Sequence, residues 1–65
     1  MATVTYSVPG ISCDHCKVAI ETELVGVDGV ARVSVDVPGR TVTVEGSADD
    51  AALRAAIDEA GYEVA

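Results

Sequence analysis

The sequence predicts an α+β fold of order β-α-β-β-α-β, and three observations carry that expectation. Apolar residues alternate along several short stretches, two of which face each other across a Pro-Gly turn. Elsewhere they recur at every third or fourth position, and turn residues separate the two kinds of segment. Alternation marks a strand with one buried side; the longer period marks a helix with one buried stripe.

The elements follow in order. Residues 3–8, T-V-T-Y-S-V, place Val4, Tyr6 and Val8 on one face of a strand that Pro9-Gly10 ends. From Cys16 the period changes: Cys16, Ile20, Leu24 and Val27 share a helical stripe, Lys17, Glu21 and Asp28 face away, and Gly26 and Gly29 close the helix. Residues 30–37 alternate again through Val33, Val35 and Val37. Pro38-Gly39 turns the chain, and Thr41-Val42-Thr43-Val44 answers as the second arm of a hairpin. Ser47 followed by Asp50 reads as a variant capping box, opening a helix whose buried stripe is Leu53, Ala56, Ile57 and Ala60. Gly61 stands where a C-terminal cap belongs, and Tyr62-Glu63-Val64 is expected to form a short closing strand. This is the ferredoxin-like split arrangement: a four-stranded antiparallel sheet with two helices on one face and Thr, Ser and Asp side chains on the other.

With 65 residues, the chain is read as one domain over positions 1–65, with a thin core of valine and alanine and no Phe or Trp. The net charge of −7 leaves no cluster of Lys and Arg to displace counterions from phosphates, which excludes nucleic acid and an anionic membrane surface as partners. The N-terminal M-A-T-V-T-Y-S has neither a basic region nor an apolar core of the kind a signal peptide needs, so a cytoplasmic location is expected. Thiols stay reduced there, and a disulfide between cysteines so close in sequence would restrict the unfolded chain very little.

The chemistry is concentrated in V-P-G-I-S-C-D-H-C-K, residues 8–17, which holds both cysteines and the only histidine. Cys13 lies in the loop after the first strand and Cys16 in the first turn of the helix, where free N–H groups and the helix dipole favour thiolates. A structural zinc site takes four protein ligands and a catalytic one commonly three. Two cysteines and one histidine fall short, whereas Cu(I) is a soft ion that thiolates select and that tolerates few sulfur ligands. A site so open on one side suits the transfer of a metal better than its retention.

Placed between the first strand and first helix of this arrangement, the C-x-x-C motif resembles that of the heavy-metal-associated domain family, the small copper chaperones and the N-terminal modules of copper-exporting P-type ATPases. The resemblance spans essentially the whole chain: V-P-G-I-S-C-D-H-C, the helix spacing Cys16–Ile20–Leu24, V-D-G-V at 27–30, V-S-V at 33–35 and A-G-Y at 60–62. It implies reversible Cu(I) binding by Cys13 and Cys16, with Cys13 the attacking and releasing ligand. It also implies transfer to the metal-binding domain of a copper-transporting P-type ATPase or to a copper-responsive regulator, without catalysis. Two such open sites would further allow a copper-dependent homodimer that is monomeric when metal-free. A Met usual in the family two places before the first cysteine is Ile11 here, an apolar exchange that preserves loop packing.

Four neighbours have two readings each. His15 either joins copper in a dimer or exchange intermediate or points to solvent, as residues between converging cysteines do. Lys17 either offsets the charge of a bis-thiolate site or is an ordinary exposed lysine. Tyr62, a residue that bacterial copper chaperones often carry here, either covers the site with its hydroxyl near a sulfur or closes the core edge. Ser12 either hydrogen-bonds near Cys13 or is a plain loop residue. Alternative functions are a stand-alone ATPase module, a binder of Zn2+, Hg2+ or Cd2+, and, more remotely, a thiol–disulfide redox module. Against the last, the only prolines, Pro9 and Pro38, sit in turns and not opposite the cysteines.

Overall fold

In the computed structural model, which describes residues 2–65, the chain forms β1 (Ala2–Ser7), α1 (Asp14–Val25), β2 (Val30–Asp36), β3 (Thr41–Gly46) and α2 (Asp50–Glu59). The strands make one antiparallel sheet in the order β1-β3-β2. Ser7 and Asp36 both pair with Thr41, so the end of β1 and the β2–β3 turn lie at the same end of the sheet. Both helices bury their stripes against one face. Cys16, Ile20 and Leu24 of α1 and Leu53, Ala56 and Ile57 of α2 form a single core with Tyr6, Val8, Ile11, Val35, Val42 and Val44. The opposite face is polar, with Thr5 and Thr43 hydroxyls 3.2 Å apart across β1 and β3.

The expected fourth strand is not formed: three strands are paired, and Tyr62-Glu63-Val64 makes no ladder. The ending of α2 explains this. The Tyr62 N–H turns back to the Ile57 carbonyl at 3.2 Å and is unavailable for pairing. One bond remains to tie the segment to the sheet edge, from the Ala65 N–H to the Ser7 carbonyl at 2.8 Å, and a ladder needs bonds in register on successive residues.

The start of α2 also differs from the expected Ser47–Asp50 capping box. Asp49 is the N-cap and makes no side-chain cap bond. Asp50 instead accepts hydrogen bonds from the Tyr6 hydroxyl of β1 and, at 2.9 Å, from Arg54 Nε one turn along the helix. The Arg54 guanidinium also lies over the Tyr6 ring, 5.6 Å from its centre. A tertiary partner has taken the carboxylate that a local rule assigned to the helix start.

At the β2–β3 turn Arg40 has a φ of 54°, the one non-glycine residue in the left-handed region among the described residues. Its carbonyl accepts the Val8 N–H at 2.9 Å and so fixes the end of β1, where the cysteine loop begins.

Candidate metal centre

The cysteine loop is anchored at its root by two fully buried side chains, Val8 and Ile11. A tight turn joins them, with the Ile11 N–H donating to the Val8 carbonyl at 3.1 Å. Ile11 thus packs under the loop as a branched alkyl group of suitable size for that space.

Cys13 follows as the N-cap of α1, in an extended conformation (φ −159°, ψ 173°), and its carbonyl accepts the N–H groups of Cys16 and Lys17 at 3.1 and 3.3 Å. Its side chain makes no cap bond, which leaves the thiol free to turn toward Cys16. The two sulfurs stand 3.6 Å apart, and the Ser12 hydroxyl lies 3.9 Å from the Cys16 sulfur. The pair is asymmetric: Cys13 is exposed, whereas Cys16 is only 8% exposed. With metal–sulfur bonds of about 2.3 Å, a bent two-sulfur arrangement fits this spacing, while a linear one needs the sulfurs to open to roughly 4.6 Å. Cys13, exposed and with the Cys16 sulfur as its side-chain partner, is the residue able to make that movement.

The surroundings favour a thiolate at Cys16. Its pKa is lowered from 9.0 to about 6, first by the neighbouring Tyr62 hydroxyl, then by the Ser12 backbone, with the Cys13 thiol and backbone adding less and burial opposing them. The Tyr62 hydroxyl is correspondingly held above its ordinary value, chiefly by the Cys16 sulfur it serves. This hydroxyl is an electrostatic neighbour of the thiolate and stands outside the close set formed by Ser12, Cys13 and Cys16.

Tyr62 reaches the site through the C-terminal cap of α2. Gly61, at a φ of 91°, donates its N–H to the Asp58 carbonyl at 2.9 Å while Tyr62 bonds to Ile57, the paired bonds of a Schellman ending. The ring then lies against Gly10, where a Cβ would come within 3.3 Å of its Cδ1. Pro9, Gly10, Gly61, Tyr62 and Glu63 line a shallow cleft of about 380 Å³ beside it. Sequence reasoning read Gly10 only as a strand ending; the P-G pair before the cysteines and G-Y after the helix held the signal for their contact.

The remaining sequence-predicted residues lie around the pair. His15 is exposed on the helix start, and Lys17 is half-buried beyond Cys16 with no ion pair among the described residues. No set of three or more His, Cys, Asp and Glu side chains suited to a metal ion occurs among the described residues. Chemically, the centre is a pair of adjacent sulfurs, one buried and one accessible.

Comparisons with known proteins agree with this geometry. The heavy-metal-associated domain family matches residues 5–63. The copper chaperone CopZ of Staphylococcus saprophyticus is 42% identical over 67 aligned positions, covering 98% of each chain. Among solved structures, a CopZ metallochaperone superposes with a TM-score of 0.94 at 31% identity over 98% of this chain and 100% of its own. A copper-binding domain from HMA7, a P-type ATPase, gives 0.93 at 25% identity over 100% and 92% of the two chains. Cysteine loop, helix stripe and capped tyrosine thus occur within one matching frame that runs almost from end to end, and this chain belongs to the heavy-metal-associated domain family.

Proposed function

We propose that the chain is a Cu(I) metallochaperone that binds the ion through Cys13 and Cys16 in the cytoplasm and passes it to the metal-binding domain of a copper-transporting P-type ATPase. The observation that carries this reading is the two-sulfur clasp itself, with one ligand buried, the other exposed, and no third His, Cys, Asp or Glu joining it among the described residues. Soft thiolates select the ion, and the low ligand count leaves room for the acceptor's sulfur. An incoming thiolate bonds to copper on the open side, the Cys13–copper bond breaks, and the Cys13 sulfur takes up a proton or remains a thiolate. Cys16, recessed and already stabilised as a thiolate, is the last to let go. The oxidation state of copper does not change, and the protein acts as a carrier and not as a catalyst.

Anaerobic titration against a chromogenic Cu(I) chelator tests the reading. Binding in simple stoichiometry that is lost in Cys13→Ser and Cys16→Ser is expected; Zn2+ displacing Cu(I) from the wild-type protein would refute it. Copper-loaded protein is also expected to form a homodimer across the exposed cysteine face while the metal-free protein stays monomeric, which sedimentation with and without Cu(I) distinguishes.

A further inference from the structure

The two edges of the sheet are not equivalent. The C-terminal segment reaches the β1 edge through the Ala65 N–H on the Ser7 carbonyl, whereas β2 stands last in the order β1-β3-β2. Alternate residues of an antiparallel strand turn their N–H and C=O groups to opposite sides. Val8, which continues the β1–β3 register opposite Arg40, donates its N–H to the Arg40 carbonyl, so Arg40, Val42 and Val44 bond toward β1. Thr41, Thr43 and Glu45 are left to bond toward β2, where they pair with Asp36, Ser34 and Arg32. The groups at the open edge of β2 are therefore the N–H and C=O of Val33 and Val35. No backbone bond from a turn, loop or terminus reaches them among the described residues. The bulge between Val30 and Arg32 confines the regular edge to residues 32–36.

An edge left open in this way is a template for a further strand, and its side chains decide which strand fits. Arg32, Ser34 and Asp36 are exposed on the polar face, a cation and an anion on either side of a hydroxyl. An antiparallel partner must present a cation opposite Asp36 and an anion opposite Arg32, with a small residue between them. The segment R-V-S-V-D meets its own requirement. We infer that β2 pairs with the β2 of a second copy, antiparallel about a two-fold axis at Ser34. Val33 of each copy then exchanges both backbone bonds with Val35 of the other, and each Arg32 faces the other copy's Asp36 at the close spacing of non-bonded pairs. Centring the pair on Val33 or Val35 keeps the bonding pattern but sets Arg32 and Asp36 opposite uncharged residues, so charge selects the register. Arg32 meets Glu45 through Nε and Asp36 accepts the Gly39 N–H on Oδ1, so the Arg32 Nη groups and Asp36 Oδ2 remain for this contact. Four backbone bonds and two exposed ion pairs make a weak contact. On a chain at −7 it leaves the metal-free protein monomeric at micromolar concentration and becomes populated at millimolar. It needs no copper and is distinct from the cysteine-bridged dimer.

The test uses metal-free, reduced protein, so its failure leaves Cu(I) binding and the cysteine-bridged dimer unaffected. As protein is raised from micromolar to millimolar, the amides of Val33 and Val35 are expected to shift in nuclear magnetic resonance spectra. A mixture of isotope-labelled and unlabelled copies should show an intermolecular contact between Ser34 α-protons. Arg32→Asp and Asp36→Arg each set like charges opposite one another twice and should weaken self-association about tenfold. Mixed in equal amounts, the two variants place opposite charges together again and should recover the association of the parent, which general damage to the hairpin cannot produce. Val33→Pro removes an N–H that points away from β3 and should abolish the contact while the sheet stays intact. If circular dichroism shows a charge variant unfolded, Val33→Pro decides, and the reverse holds. The proposal is overturned if no association occurs at millimolar protein, if the shifts map to another face, if the variants associate as the parent does, or if the mixture associates no better than its components.

Discussion

Tyr62 and Cys16 form the most consequential pair of residues, because the hydroxyl is the largest of the influences that keep the thiolate ionised. Cys16 has a folded pKa of about 6 against 9.0 for an unperturbed thiol. Its contribution to the stability of the metal-free fold is therefore complete above the unfolded value and is lost as pH falls through the folded one. In Tyr62→Phe the ionisation midpoint of Cys16 should move upward, read from thiolate ultraviolet absorbance in a Cys13→Ser background; an unmoved midpoint would remove Tyr62 from this role. Ile11→Met should leave copper affinity unchanged and cost less than about 1.5 kcal/mol in chemical denaturation, since volume and apolar character are kept, whereas Ile11→Ala should cost about 2–5 kcal/mol. The approach of the two cysteine sulfurs was legible in the sequence because residues three apart at a helix start lie on one side of it. The Ser12 backbone was not, because loop conformation leaves no periodic trace.

The elements show where local rules stop. Both helices and the hairpin were readable from apolar spacing, since burial imposes a period on the residues that undergo it. The start of α2 was misread because Asp50 has a tertiary partner: the Tyr6 hydroxyl joins β1 to the first turn of the helix. That bond is also the main cause of the lowered Asp50 pKa, so the stability it supplies is present above the ordinary carboxylate range and disappears as pH falls through the depressed folded value. Tyr6→Phe should accordingly lower Tm by roughly 5 °C near neutral pH and by less in acid, where Asp50 is protonated in both proteins. Equal losses at both pH values would mean that packing and not this bond holds the strand to the helix. The closing strand was misread for a related reason, its first N–H having been taken by the cap of α2.

The whole molecule has a small, valine-rich core, and its largest fully buried side chains are Ile11, Ile20, Leu24 and Ile57 with Val8 and Val42. Any ion that binds only the folded chain adds to that stability by mass action, about 2.7 kcal/mol when free ion is a hundredfold above its dissociation constant. Calorimetry under reducing, anaerobic conditions should thus show a higher Tm with Cu(I) than without, and no rise in Cys13→Ser/Cys16→Ser. The β2–β3 turn adds a different kind of constraint. Arg40 occupies a backbone shape that costs most side chains energy and that glycine and asparagine adopt readily. A library of all substitutions at this position would therefore sort by shape before charge, with Gly and Asn passing and Val and Ile depleted. Because the Arg40 carbonyl holds the Val8 amide, the depleted variants should fail first as copper binders, their cysteine loop losing its fixed root before the rest of the domain unfolds.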